Sequence, residues 1–484
     1  MSDAVSAGSE SPGEGNQENA PERGGLLQPN RLIPIVIASA LFMELMDSSA
    51  LALAIPTIAE DLVASATDLR LALTAYAMTV AIFVPISSWM ANRFGARRVF
   101  IGAMMLFMIG SVSSGLASNL AMLVGSRVLQ GLGGAMMIPV GRAILVGAVD
   151  RKALVKAMVW FTLPAILAPL IGPPVAGLLI EFASWRWIFF INVPVGAISI
   201  IAILRFVPSV TSGEAREFDV TGFALCGATI VAAVFLLETR LLAGQPIWLR
   251  VAGVFVALLL GYSFTRHARR STAPIIDLRI LRHATLRLGV AGTWLQRVSM
   301  GAFVLIIPLQ LQIALGFTPL AAAQVTAAGA IGSVISRFTT PPLLRQVGFR
   351  SLMVTMAMLT GVITLGPIFF ASDTPVWMMA AFMVCYALMR ASFFMSGNAL
   401  SFADIEPGAE IGHATVLFSV AQQLSLGFGY ALGGGLLAAL GGADDLRAYG
   451  IAYLVIALLP LLAGLVMSRL PTHAGDELRR HASA

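Results

Sequence analysis

Two carboxylates, Glu44 and Asp47, lie within the first long apolar run of this chain. Their spacing of three residues puts both on one face of a helix, roughly 60° apart. Neighbouring carboxylates disfavour each other's ionisation, so the pair is suited to binding and releasing a proton. Arg127, in a later apolar run, supplies a positive charge that tunes their proton affinity. We predict that these three residues handle protons, and the alternative is a structural ion pair.

Further polar residues in the apolar runs are predicted to line a cavity that binds the substrate. Arg142 follows Arg127 by fifteen residues, which brings both to one side of a helix, although Arg142 could instead snorkel to the membrane surface. Arg337 and Arg390 are predicted at membrane depth, where a charge requires a cavity, a partner or a ligand. An excess of buried arginine favours anionic or zwitterionic substrates, unless these arginines form structural pairs. The predicted cavity residues are Arg142, Arg337, Arg390, Gln130 and Gln423.

Enzymatic and ATP-driven chemistry is not supported by the residue types present. The five histidines fall in links, at span ends or in the C-terminal tail, away from any metal-ligand pattern. A phosphate-binding loop needs Gly-Lys-Ser/Thr, whereas neither Lys152 nor Lys156 follows a glycine. We therefore predict no catalytic residue, no metal and no cofactor, with a proton gradient as the energy source. A membrane sensor or scaffold is the remaining alternative to a transporter.

The composition indicates that membrane-spanning helices position these residues. Of the 484 residues, 58% are hydrophobic and 12% are charged, far from the balance of a water-soluble domain. Apolar runs of about 20 residues can cross the bilayer as helices, which satisfy their own backbone hydrogen bonds. We predict an all-α polytopic membrane protein with fourteen helices. They lie near 32–56, 69–91, 99–117, 120–148, 154–180, 186–207, 218–239, 247–265, 285–313, 319–341, 351–371, 375–400, 411–439 and 448–468.

The distribution of Lys and Arg predicts how the chain is oriented. About 21 of these residues lie in links on one side of the predicted spans and about 5 on the other. The positive-inside rule therefore places both termini in the cytoplasm of a bacterial cell, with the spans in its inner membrane. The net charge of +6 is dispersed over the links, so nucleic acid is not a predicted partner.

An internal repeat divides the predicted helices into two halves. Gly95 and Arg97 follow the second helix, and Gly348 and Arg350 follow the tenth in the same order. Bundles built from repeats bind their substrate between the halves and rock one half against the other. The predicted domains are a disordered cytoplasmic tail at 1–30, a six-helix bundle at 31–208, two inserted helices at 218–266, a cytoplasmic loop at 267–284, a second six-helix bundle at 285–469 and a cytoplasmic tail at 470–484.

Four motifs in order connect this chain with a known family. They are Leu45–Pro56 in helix 1, Ser88–Arg98 after helix 2, Arg127–Gly134 in helix 4 and Gly172–Gly177 in helix 5. With Trp185–Gly196 they resemble the fourteen-spanner drug:proton antiporters of the major facilitator superfamily, and the likeness covers Arg31 to Arg469. The helix 4 motif matches closely. The family's loop signature departs at two places, where Ser88 replaces a Gly and Asn92 replaces an Asp.

The resemblance implies the major facilitator fold, with two six-helix halves and two additional helices between them. It also implies roles in conformational gating for Gly95, Arg97, Arg98, Gly172, Pro173 and Gly177. Proline and glycine in helix 5 predict a kinked helix that packs closely on its neighbours.

The predicted function is proton-driven export of amphipathic drugs or toxic small molecules out of the cytoplasm. The alternative is export of an organic anion or an endogenous metabolite. The predicted partners are the small-molecule substrate, protons and the lipid bilayer, and a periplasmic adaptor is a further candidate.

Overall fold

Apolar helices joined by short links form the protein. The computed structural model describes residues 29–148, 151–207, 217–237, 246–405, 409–471 and 473–475. The helices are α1 (Pro29–Asp61), α2 (Arg70–Phe83), α3 (Ser87–Phe94), α4 (Ala96–Gly115), α5 (Leu120–Ala148), α6 (Arg151–Phe182), α7 (Trp187–Phe190), α8 (Asn192–Phe206), α9 (Val220–Leu237), α10 (Ile247–Arg270), α11 (Ala284–Leu309), α12 (Pro319–Ile363), α13 (Val376–Ser401), α14 (Ala409–Leu440) and α15 (Leu446–Met467). A 3₁₀ turn at Val84–Ile86 joins α2 to α3, and a π-helix at Gln310–Ala314 continues α11.

Eleven helical segments in the described part of the chain are long and apolar enough to cross a membrane. One of them, Pro319–Phe369, is 51 residues long and breaks at Gly348, so it covers two of the predicted helices. Two shorter apolar helices, Leu167–Phe182 and Val220–Leu236, lie within α6 and α9. Helix occurs at every predicted position, which confirms the all-α membrane fold, whereas the number of fourteen crossings stays a prediction.

One packing scheme occurs twice along the chain. Among the helices before α9, α1 packs against α5, α6 and α8, and α4 packs against α5 and α8. Among the helices after α10, α11 packs against α13, α14 and α15, and α12 packs against α13 and α15. The two sets correspond in chain order, which supports the internal repeat inferred from the sequence.

Gly95 and Gly348 turn the chain at equivalent points of the two repeats. Gly95 ends α3 with φ 88°, and Gly348 interrupts α12 with φ 78°. Glycine reaches these left-handed values without the steric cost that a Cβ would add. The same turn therefore follows the second helix of each repeat.

The two halves pack closely at the end of the bundle that is predicted to face the periplasm. α6 packs against α12, and α2 packs in the corresponding way against α14. A Cβ added at Gly177 of α6 would lie only 2.8 Å from the Cβ of Ala323 on α12. Near this end of α1, the Gln312 amide donates a 2.9 Å hydrogen bond to the carbonyl of Leu53. The contacts therefore close this end of the interface between the halves.

The inserted helices α9 and α10 lie at the edge where the halves meet. α9 packs against α2, α14 and α10. Asp219, directly before α9, accepts hydrogen bonds from the backbone N–H of Gly222 (2.8 Å) and Ile275 (3.1 Å), and it pairs with the His267 ring at 2.7 Å. Burial raises the pKa of this carboxyl, but these hydrogen bonds outweigh burial and hold the pKa below its ordinary value. Asp219 therefore fastens α9, α10 and the following loop together.

Candidate functional site

Asp47 lies at the centre of a buried polar cluster in the first repeat. Arg127 of α5 donates a hydrogen bond through Nη1 to Oδ2 of Asp47, which makes a salt bridge between the two helices. Both side chains are completely buried, with 0% exposure. An isolated charge would be very costly at such a place, so each residue compensates the charge of the other. The structure thus brings together two of the three residues predicted to handle protons.

Two amide side chains complete the surroundings of the Asp47 carboxylate. Gln130 donates to Oδ1 of Asp47 at 3.0 Å, and its own oxygen accepts from Arg127 Nη1 at 2.5 Å. Asn192, the first residue of α8, donates to the same Asp47 oxygen at 3.4 Å and to Ser111 Oγ of α4 at 3.0 Å. Helices α1, α4, α5 and α8 therefore meet at Asp47.

Glu44 extends this cluster by one turn of α1. Its side chain is 5% exposed, and its electrostatic neighbours include Asp47 and Tyr76 of α2. Oε2 of Glu44 has no hydrogen-bond partner among the described residues. The Tyr76 ring lies beneath the Arg127 guanidinium, with 4.5 Å between Cζ and the ring centroid, which adds a cation–π contact. Both carboxylates and Arg127 therefore belong to one buried group.

Glycines of α5 allow the neighbouring helices to approach this group. A Cβ added at Gly131 would lie 2.8 Å from Cβ of Thr79 on α2. A Cβ added at Gly133 would lie 2.6 Å from the backbone nitrogen of Phe107 on α4. Such close contact between helices requires residues without side chains. The motif Arg127–Gly134 therefore presents its polar residues to α1 while its glycines pack against α2 and α4.

The residues predicted to line a substrate cavity lie in several places. Gln130 belongs to the Asp47 cluster, and Gln423 is half-buried on α14. Arg142 is exposed on α5 and Arg337 is exposed on α12, whereas the sequence had suggested that Arg337 is buried. Arg390 is half-buried on α13 and points towards α11. The two arginines that the sequence grouped therefore differ in exposure, and Arg390 is the one that packs against α11.

The predicted gating residues after the second helix contact the end of the first half. Arg97, two residues after Gly95, donates a hydrogen bond to the carbonyl oxygen of Leu204 near the end of α8. Arg98 is exposed. The link therefore joins the α3–α4 turn to the last helix of the first repeat.

The predicted gating residues of α6 lie on two of its faces. A Cβ added at Gly172 would lie 2.6 Å from Ser49 Oγ on α1, and Gly177 meets α12 of the other half. Pro173 is buried, and α6 runs as one helix across it. These glycines let α6 contact its own half and the opposite half at once.

Asn192 and Ser111 were not among the predicted site residues. Ser111 donates to the backbone carbonyl of Phe189 at 2.8 Å, which holds the beginning of α8 beside α4. Asn192 can then reach Asp47. An amide within an otherwise apolar span was the signal that could have identified Asn192.

Comparisons with known proteins show which family and which relatives this sequence is similar to. The family model described as Major Facilitator Superfamily matches residues 37–271 and 289–482. A protein of Klebsiella pneumoniae subsp. pneumoniae, provisionally named multidrug resistance protein MdtD, is 34% identical to this chain. The alignment covers 92% of this chain and 96% of the relative. The protein of that name in Cronobacter sakazakii is also 34% identical, over 92% and 95% of the two chains.

Solved structures of transporters share the fold. A crystal structure of a D-xylose-proton symporter superposes with a TM-score of 0.66 at 15% identity, covering 92% of this chain and 98% of that one. A POT family transporter in complex with 5-aminolevulinic acid gives a TM-score of 0.67 at 14% identity, covering 92% and 96%. At this level of identity the likeness concerns the fold alone.

Proposed function

This chain belongs to the major facilitator superfamily, and on that premise we propose that it is a proton-driven antiporter that exports amphipathic small molecules from the cytoplasm. It is a multi-pass membrane transporter and not an enzyme. The observation that carries the proposal is the fully buried ion pair of Asp47 and Arg127. The name that the MdtD relatives bear supports export and drug-like substrates.

The Asp47 cluster gives a physical route for coupling. When Asp47 accepts a proton it becomes neutral, so it no longer compensates the Arg127 charge within the same buried group. Gln130 bonds both residues, so a change at Asp47 is transmitted along α5. Glu44 supplies a second carboxyl oxygen, free of hydrogen-bond partners in the described structure, at which a proton can reside. The two protonation states therefore favour different arrangements of α1 and α5.

Alternating access follows from the way that the halves meet. In the observed arrangement, α6 contacts α12 and Gln312 contacts α1 at the end predicted to be periplasmic. Rocking the halves would open these contacts and close the opposite end. A proton that moves down a membrane potential of 100 mV supplies about 2.3 kcal/mol, enough for roughly fifty-fold accumulation of the exported compound.

The proposal also includes the orientation of the chain, the two moving halves and a candidate partner. Both termini lie in the cytoplasm, and the bundles at 31–208 and 285–469 move as the two halves. A periplasmic adaptor is a candidate partner on the outer side.

The second candidate function is export of an organic anion or metabolite, which the half-buried Arg390 favours.

Substitution of Asp47 tests the proposal. Asp47→Asn keeps the shape of the side chain and removes its titratable charge, so accumulation of dye in energised inverted membrane vesicles should fall to the level of vesicles without the protein. Glu60→Gln is the matched control, because Glu60 lies on the same helix and is exposed. Wild-type transport rates in Asp47→Asn, at equal protein content, would reject proton coupling through this residue.

A further inference from the structure

Two arginines on facing helices of the second repeat form an unexplained positive group. Arg390 of α13 places Nη1 2.8 Å from Sδ of Met300 on α11. Arg297 of α11 reaches in the opposite direction, and its Cζ lies 5.5 Å from the ring centroid of Phe394 on α13. Met300 follows Arg297 by one helical turn, and Phe394 follows Arg390 in the same way. The two guanidinium groups therefore lie side by side across the contact between α11 and α13.

Neither arginine has a strong acceptor among the described residues. Nε of Arg297 and Nε of Arg390 are both buried there without a hydrogen-bond partner. The thioether of Met300 accepts hydrogen bonds only weakly. Gln296, beside Arg297, is 1% exposed, and its amide oxygen and nitrogen also lack partners within the described ranges. This part of the bundle therefore has more buried donors than acceptors.

The described helices of the second half place no carboxylate beside these two arginines. Across the sequences of α11, α12, α13, α14 and α15 the acidic residue is Glu410. It lies in the first turn of α14, where it pairs with Arg282 at 2.5 Å and with His283 at 3.2 Å. Both arginines are half-buried, with their Nε atoms buried. A cation at this depth without a counter-ion is costly, so the negative group of a ligand would be stabilised here.

Equivalent positions in the first helix of each repeat can be compared by counting back from Gly95 and Gly348, and one of them carries opposite charges in the two repeats. Asp47 precedes Gly95 by 48 residues, and Met300 precedes Gly348 by the same 48. Glu44 precedes Gly95 by 51 residues, and Arg297 precedes Gly348 by 51. The first helix of the first repeat therefore presents carboxylates where the first helix of the second repeat presents arginine. In both repeats a second charged residue, Arg127 or Arg390, comes from the fourth helix.

We infer that Arg297 and Arg390 form the binding site for a carboxylate group of the transported molecule. The inference rests on the proposed function, since it names the substrate class of the exporter. A planar guanidinium binds a carboxylate through two parallel hydrogen bonds, and two such groups can share its oxygens. The aromatic rings of Phe394 and Tyr386, which lie 5.5 Å and 5.9 Å from the two guanidinium carbons, suit the apolar part of an amphipathic anion.

Tyr430 links this anion site to the proton site. It is a 4% exposed residue of α14, within electrostatic range of both Arg297 and Arg127. Under this proposal, a negative charge bound at Arg297 lies beside a residue that also neighbours Arg127 of the proton site. Binding of the anion and release of the proton are then coupled through neighbouring charges.

A pair of dyes that differ in one charge tests the inference. A xanthene dye with a free carboxylate and the methyl ester of the same dye have the same ring system. Transport into inverted vesicles and binding to the purified full-length protein, measured by fluorescence polarisation, are compared for both dyes. The variants are Arg297→Gln and Arg390→Gln, each with its Lys counterpart, and Arg205→Gln serves as the control because Arg205 is exposed on α8.

We expect each Gln variant to lose about tenfold or more in binding and transport of the carboxylate dye, with less than about a twofold change for the ester. The Lys variants should keep an intermediate affinity, since they retain the charge but not the two-pronged geometry. Equal losses for both dyes, or a wild-type protein that binds the ester but not the carboxylate, would overturn the anion site. Asp47→Asn distinguishes the two proposals, since it should stop transport of whichever dye the wild type carries.

Discussion

At the scale of single residues, the buried salt bridge between Asp47 and Arg127 joins α1 to α5 in the first half. Its two members lie on different helices and have 0% exposure, so removing one leaves the other charge unpaired in the interior. Gln130 contacts both and cannot replace either charge. Loss of either charge at this place therefore changes both the electrostatics and the helix packing.

Stability measurements should reveal this mutual dependence. We expect Asp47→Asn and Arg127→Gln each to destabilise the purified protein, by up to about 3–5 kcal/mol, because each leaves an uncompensated buried charge. The double variant should be less destabilised than the sum of the single variants. Thermal unfolding in detergent, followed for all four proteins, measures this difference. Strict additivity would show that the two charges do not interact.

The sequence predicted part of this site and not the rest, for a physical reason. Helical spacing places Glu44 beside Asp47, and the match of Arg127–Gly134 to a family motif pointed to Arg127. Spacing along one helix does not say which other helix lies opposite, so the contact of Asn192 with Asp47 depended on tertiary packing. For the same reason the apolar surroundings of Arg337 did not reveal that its side chain is exposed.

At the scale of helices, the closest contacts depend on glycine and on a few polar fastenings. Gly131 and Gly133 bring α2 and α4 against α5, where any side chain would collide with a neighbour. The internal repeat was visible in sequence only at the turns of Gly95 and Gly348, because apolar helices of one composition resemble each other whatever their packing. The structure shows the repeat in the helix pairs themselves.

Asp219 should make the packing of α9 and α10 depend on pH. The pKa of Asp219 is lower in the folded protein than in the unfolded chain, where it has the ordinary value of about 3.9. Asp219 therefore contributes its full stabilisation at a pH above that ordinary pKa. The stabilisation is lost as the pH falls through the lower pKa of the folded state. Asp219→Asn should therefore lower the thermal midpoint at pH 7, and the difference from wild type should shrink only below about pH 4. Asp373→Asn, at an exposed position in the link before α13, is the control. A difference that stays constant down to about pH 2 would contradict this assignment.

At the scale of the whole molecule, alternating access requires that the halves separate where α6 now meets α12. Gly177→Cys with Ala323→Cys, in a background where Cys226 and Cys385 are replaced by Ala, tests this. The two Cβ positions lie 2.8 Å apart, so a small adjustment would allow the usual disulfide separation of about 3.5–4.5 Å. Oxidation should stop transport and reduction should restore it, while the single Gly177→Cys variant should not respond. Full transport by the cross-linked protein would show that this contact need not open.

Measuring proton release when substrate binds shows whether Asp47 couples the two events. Purified protein in weakly buffered detergent solution receives whichever of the two xanthene dyes the wild type carries, and a pH indicator records the protons set free. If Asp47 exchanges its proton for substrate, the wild type should release protons in proportion to the dye bound, and Asp47→Asn should bind dye with no release. Equal proton release from wild type and Asp47→Asn, or binding to the wild type without release, would contradict proton coupling through Asp47.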